Sequence, residues 1–146
     1  MIIKRKEISW ILLIAWMILI AVMSNQPAEI SDSQSIGVIN FLQRIGINMN
    51  LIFGQLSNFI IRKCAHFLEY AILGILLYNV LIMYFQNKKL IILCILLCMF
   101  YAITDEIHQL FISGREGALR DVIIDTCGGL FGTIVNNILY KKRLSH

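Results

Sequence analysis

Apolar residues run through this chain in long, nearly unbroken blocks rather than in stripes. The first block, Ile8 to Met23, is interrupted only by Ser9. Three more follow, opening at Cys64, Leu90 and Asp121 and closing at Phe85, Ile112 and Tyr140. Each approaches the roughly 20 residues a helix needs to cross about 30 Å of hydrocarbon. Lipid offers the backbone no hydrogen-bond partners, so each block must be helical. The expected spans are 8–24, 60–85, 90–112 and 121–140. The first follows a basic stretch, as a signal peptide would. It is longer than most signal cores, and "AVMSNQP" (21–27) is a poor cleavage site, so it is read as an uncleaved span.

Between the first two spans, "SDSQSIGVINFLQRIG" (31–46) opens with Ser and Asp cap candidates. It carries Ile36, Ile39, Leu42 and Ile45 at helical spacing. A short amphipathic helix is expected, either lying on the outer membrane face or covering the bundle. "LIFGQLSNFII" (51–61) leads into the second span, which is then overlong or kinked near Gly54. The fold class is therefore an all-α integral membrane protein, one domain over residues 1–146. It is a bundle of four transmembrane helices with a short extracytoplasmic amphipathic helix between the first two.

Composition agrees. The chain is 58% hydrophobic and 15% charged, with one proline, whereas soluble domains are about 45–50% apolar and about 25% charged. The net charge of +4 does not point to nucleic acid, because the cations are not spread along a soluble face. They gather as Lys4-Arg5-Lys6, Lys88-Lys89 and Lys141-Lys142-Arg143, beside the ends of apolar blocks. With four spans these clusters share one side, which the positive-inside rule assigns to the cytoplasm together with both termini. Residues 25–60 and 113–120 then face outside. Cys64, Cys94, Cys98 and Cys127 form no CxxC pair and are expected to be small buried apolar side chains.

Candidate chemistry comes from polar residues inside or beside the spans. Counting at 1.5 Å per residue from the basic end, Glu69, Asp105 and Asp125 reach nearly one level, about 23–26 Å up their helices. His66, His108 and Asp121 lie one turn further out, and Arg62, Lys63, Arg115 and Arg120 lie beyond them. Arg62, His66 and Glu69 form one helical stripe. Asp105, His108 and Gln109 form another, with Glu106 turned about 100° away. Asp121 and Asp125 share a stripe with Gly128 and Gly132, a GxxxG pattern that lets helices approach closely in lipid. A charge in hydrocarbon costs about 2.5–3.5 kcal/mol, so a polar cluster open to the outside is expected, its carboxylates neutralised by Arg62, Arg115 or Arg120.

Several uses compete for such a cluster. Histidine-carboxylate sets such as His66, Glu69, Asp105 and Asp125 can hold a divalent metal, but pairs at this spacing are common by chance, and no cofactor is expected. The same groups can exchange protons, yet no nucleophile has an evident base. An anionic or zwitterionic headgroup clasped by arginines is a third use, and an ion-pair network holding helices in register is a fourth. The oligomeric state is left open.

At these residues the chain resembles the VanZ-like family of bacterial membrane proteins. The likeness rests on "RKCAHFLEYAILG" (62–74), "TDEIHQLFISGREGALRDVIIDTCGGLFG" (104–132) and, more weakly, "SNQPAEISDSQS" (24–35). Ser113 stands where the family more often has proline before the Gly114-Arg115 pair. By matching positions, the resemblance implies that His66, Glu69, Asp105, Glu106, Gln109, Arg115, Asp121 and Asp125 are signature polar residues. It also implies a cell-envelope role linked to resistance to the glycopeptide teicoplanin. The function expected is engagement of a lipid-linked surface component, with membrane lipids as further partners, through an outward-facing polar site. The alternatives are an intramembrane enzyme modifying an envelope lipid or glycan precursor, or a non-catalytic partner of another envelope protein.

Overall fold

The computed structural model describes residues 2–144, and among these the only regular structure is helical. Helix α1 covers Ile2–Ser24, α2 Ala28–Arg44, the short α3 Met49–Phe53, α4 Ser57–Leu81, α5 Asn87–Gln109 and α6 Leu119–Leu144. Four stretches are long and apolar enough to cross a membrane: Lys6–Ser24, Met49–Leu81, Lys88–Gln109 and Leu119–Arg143. The spans differ from the expected ones at their ends. α4 stops at Leu81 and α5 at Gln109, because Phe85 and Ile112, though apolar, belong to turns at the helix ends. The second span is broken at Gly54, where φ is +55°, a conformation that glycine adopts without a Cβ penalty.

α4 and α6 run parallel and form the centre. They approach so closely that a Cβ on Gly128 would overlap the carbonyl oxygen of Phe67, and one on Gly132 that of Ala71. From the other side, a Cβ on Gly74 would overlap the carbonyl of Gly129. Beyond this seam the pair is tied by amides: Asn136 donates to the Ile75 carbonyl at 3.3 Å and to Asn79 Oδ1 at 2.8 Å. α5 packs on α6 through Cys98, whose Sγ would lie 2.6 Å from a Cβ on Gly129. α1 packs on α4 and α5 with Leu13, Trp16, Met17 and Ile20. Hydrogen bonds tie it to them, among them those from Trp16 Nε1 to the Glu69 carbonyl at 2.9 Å and from Tyr101 to the Met17 carbonyl at 2.7 Å. The outer faces remain apolar, with Ile11, Phe100, Ile123 and Phe131 each more than half exposed. A surface of this kind is stable against lipid and not against water.

Cys94 and Cys98 are fully buried in this core, whereas Cys64 and Cys127 are exposed, contrary to the uniform burial expected. The helix between the first two spans starts earlier than expected. Pro27 stands at its N-cap (φ −53°), and its fixed ring suits a helix start. The Ser31 and Asp32 cap candidates therefore lie inside α2. Its apolar residues do not form one stripe. A spacing of three drifts about 60° per step around a helix. Ile39 is accordingly buried, while Ile36 and Ile45 are 49% and 58% exposed on different sides. α2 packs against α4 and so covers the bundle.

Gly132→Ala is expected to cost about 1–3 kcal/mol, because the obstructing atom is backbone and cannot rotate away. Gly37→Ala meets nothing within 4 Å and should be neutral or stabilising by up to about 1 kcal/mol. Unfolding of the detergent-solubilised variants checks both.

Candidate functional site

At the end of the bundle away from the lysine clusters, α1, α2, α4 and α5 surround a cavity of about 310 Å³. Glu69, Asp105, His66, Arg62 and Arg115 all line it, with Ser24 from α1 and Ser31, Gln34 and Ser35 from α2. The α4 stripe exists because residues 62, 66 and 69 recur near the helical repeat, and the glycine seam turns that stripe toward the bundle interior. Asp105 is held by Gln109, whose amide donates to Asp105 Oδ2 at 3.3 Å and to Ser24 Oγ at 2.9 Å. This small relay joins α5 to the end of α1.

Asp125 lies beside this cavity and is fully buried. His66 Nδ1 stands 3.5 Å from its Oδ1. Neither carboxylate oxygen has a hydrogen-bond partner in the protein. A buried polar group left unpaired is costly, so this position is maintained against a packing penalty. Asp121, one turn earlier, instead accepts from Lys63 Nζ at 2.6 Å, with Arg120 Nε 3.8 Å away. Both partners of the Lys63 pair are nearly out of solvent, where charge-assisted bonds are strong.

Of the three arginines expected to neutralise the site's acids, Arg120 reaches Asp121, whereas Arg62 and Arg115 are deployed differently. Arg62 pairs with Asp32 of α2 at 2.9 Å, which pins α2 across the cavity. Arg115 donates from Nε to the Gln26 carbonyl at 3.1 Å and makes no ion pair among the described residues. Burial and then the neighbouring charge of Arg62 lower the Arg115 guanidinium from its ordinary value; as an arginine it remains a cation. Two like charges thus meet at the cavity, and Arg62 Nε is buried there without a partner.

Glu106 points elsewhere. Its Oε2 accepts from the Ala118 amide at 2.8 Å, satisfying a donor at the start of α6. His108 is exposed, 3.1 Å from Asn25 Oδ1. Among the described residues no three His, Cys, Asp or Glu side chains are grouped so as to hold a metal ion. Sequence reasoning missed Lys63 as the partner of Asp121 and Asp32 as the latch on Arg62. It also missed the serines and Gln34 of α2. The polar run "SNQPAEISDSQS" carried the available signal, since so many hydroxyls and amides directly after a span need partners. Nothing local in it names Arg62, 30 positions away from Asp32.

No curated protein and no solved structure matches the chain. The VanZ/LLP1 family model matches residues 9–140, which takes in every helix except the outermost turns of α1 and α6. By that match the chain is a multi-pass membrane protein belonging to the VanZ/LLP1 family.

Proposed function

We propose that this cavity binds the anionic headgroup of a lipid-linked cell-envelope component. Through that binding the protein lowers access of glycopeptides such as teicoplanin to the cell surface. The observation that carries the reading is the pair of guanidiniums, Arg62 and Arg115, set together at the cavity with the Arg62 Nε donor unused. Planar guanidinium forks suit phosphate oxygens, which they grip through two bonds at once. The acids lining the same cavity, Glu69 and Asp105, offer acceptors to sugar hydroxyls. The wall toward the membrane surface is α2, whose Phe41 is 61% exposed, with Ile45 just beyond its end at 58%. Apolar side chains left exposed at this end, such as Phe41 and Ile45, rest in the headgroup layer, so a lipid enters sideways beneath α2. On this reading the cavity faces outside, and the lysine-rich end, with both termini, is cytoplasmic.

A second reading is favoured by the contact between His66 and Asp125. An imidazole beside a buried carboxylate and facing a polar cavity has the arrangement of a general acid-base group held in orientation. This makes the protein an intramembrane enzyme acting on the same headgroup.

Two experiments separate these readings. In the first, lipids co-purifying with the protein are profiled by mass spectrometry. A lipid-linked phosphate species is expected with wild type and is expected to fall at least tenfold in Arg62→Gln/Arg115→Gln, since removing one charge-assisted hydrogen bond weakens binding by roughly that factor. Unchanged lipid content in a normally inserted double variant removes the binding proposal. In the second, His66→Ala and Asp125→Asn are compared in cells. Binding alone predicts that the envelope lipid profile stays as in wild type. Catalysis predicts accumulation of an unmodified precursor in both variants, with membrane expression retained.

A further inference from the structure

The opposite end of the bundle carries a second and larger cavity, of about 880 Å³, between the start of α5 and the end of α6. Lys88 and Lys89 from α5 and Lys141 from α6 line it, with Tyr140 and Asn137. The three ammonium groups come from two different helices and converge on one space. Among the described residues none of them has a carboxylate partner, and Glu7 is the one acidic side chain at this end. Like charges gathered without counter-charge repel one another, so the arrangement is stable only with an anion or bulk water between them.

The surroundings select the anion. Asn137 accepts from the Tyr78 hydroxyl at 3.1 Å, which leaves its amide N–H groups without an acceptor among the described residues. Next to the lysines the outward side chains are apolar, with Ile92 of α5 and Ile138 of α6 about half exposed. A ligand seated here meets cations and an amide at one level and a hydrocarbon-facing surface directly beside it. That is the cross-section of a phospholipid at the headgroup boundary. A freely dissolved anion has no use for the apolar part.

We propose that the cavity between α5 and α6 is a binding site for an anionic glycerophospholipid. Its phosphate is held by Lys88, Lys89 and Lys141, and its acyl chains lie along the outer faces of the two helices. The site is separate from the polar cavity at the other end and does not depend on what that cavity binds.

The test uses full-length protein in nanodiscs of phosphatidylcholine doped with phosphatidylglycerol, with retained lipid counted by native mass spectrometry. Wild type is expected to retain phosphatidylglycerol over phosphatidylcholine. Lysines near a membrane surface each contribute about fivefold in affinity for anionic lipid. Lys88→Gln/Lys141→Gln should therefore lose that preference by more than tenfold. Lys88→Arg/Lys141→Arg preserves the charge, and hence insertion and orientation, and should keep it. Retention of phosphatidylglycerol by the Gln variant at the wild-type level overturns the proposal. So does displacement of the lipid by millimolar inorganic phosphate, which makes the site one for a free anion.

Discussion

The backbone contact between α4 and α6 sets the positions of everything polar in this protein. Where two helices touch through glycine, their axes come closer than any side chain allows, and their relative rotation is fixed by which carbonyl faces which Cα. Here Gly128 faces Phe67, and Gly132 faces Ala71. That parallel register carries Asp125 to His66 and Asp121 to Lys63. Helix association in lipid has little hydrophobic drive, and close packing together with interhelical hydrogen bonds supplies most of it. The seam therefore has two roles that one-sided mutagenesis would confuse: it holds the bundle together, and it aligns the ionisable groups.

The four spans are plain in the sequence because the requirement for backbone satisfaction leaves lipid-exposed segments no alternative to helix. Their approximate depth alignment is also accessible, since rise per residue is constant. That is why Glu69, Asp105 and Asp125 fall at one level by counting alone; Glu69 and Asp105 do line one cavity, while Asp125 lies beside it against His66, which counting puts one turn further out. Partner choice is not accessible. The sequence offers four cations near the outer ends of α4 and α6 and several acids. Which pairs form depends on rotations of a few tens of degrees and on an element with weak signals of its own. Glu106 shows the limit well. Adjacent to Asp105 and equally acidic, it faces about 100° away and satisfies the Ala118 amide.

α2 is the least legible element. Its apolar residues drift around the helix, so a period count overstates its amphipathic stripe and places Ile36 and Ile45 on one face. Its true start depends on Pro27, and its docking depends on Asp32 meeting Arg62 and on Gln26 meeting Arg115. None of these is a hydrophobic signal. The Asp32–Arg62 pair, with side chains that are 26% and 41% exposed, adds roughly 0–1 kcal/mol to an attachment that also rests on buried Ile39 and on the Arg115–Gln26 bond.

The charge distribution unites the two ends. Eight of the nine acids lie from Glu29 onward, away from the lysine-rich end, and there cations and acids interleave. The lysine-rich end has almost no acids to balance it. If both ends were only anchors, the same low cost would be met by single cations at each helix end, snorkelling to the interface without forming cavities. Instead, side chains of separate helices enclose space at both ends, one lined by mixed charge and one by cations alone. Mixed charge in a confined site orients a polar molecule with both donors and acceptors, such as a phosphorylated glycan. Uncompensated cations beside an apolar face suit a simple anionic lipid. The difference between the cavities is therefore chemical as well as positional, and it follows from where nine carboxylates fall along the sequence.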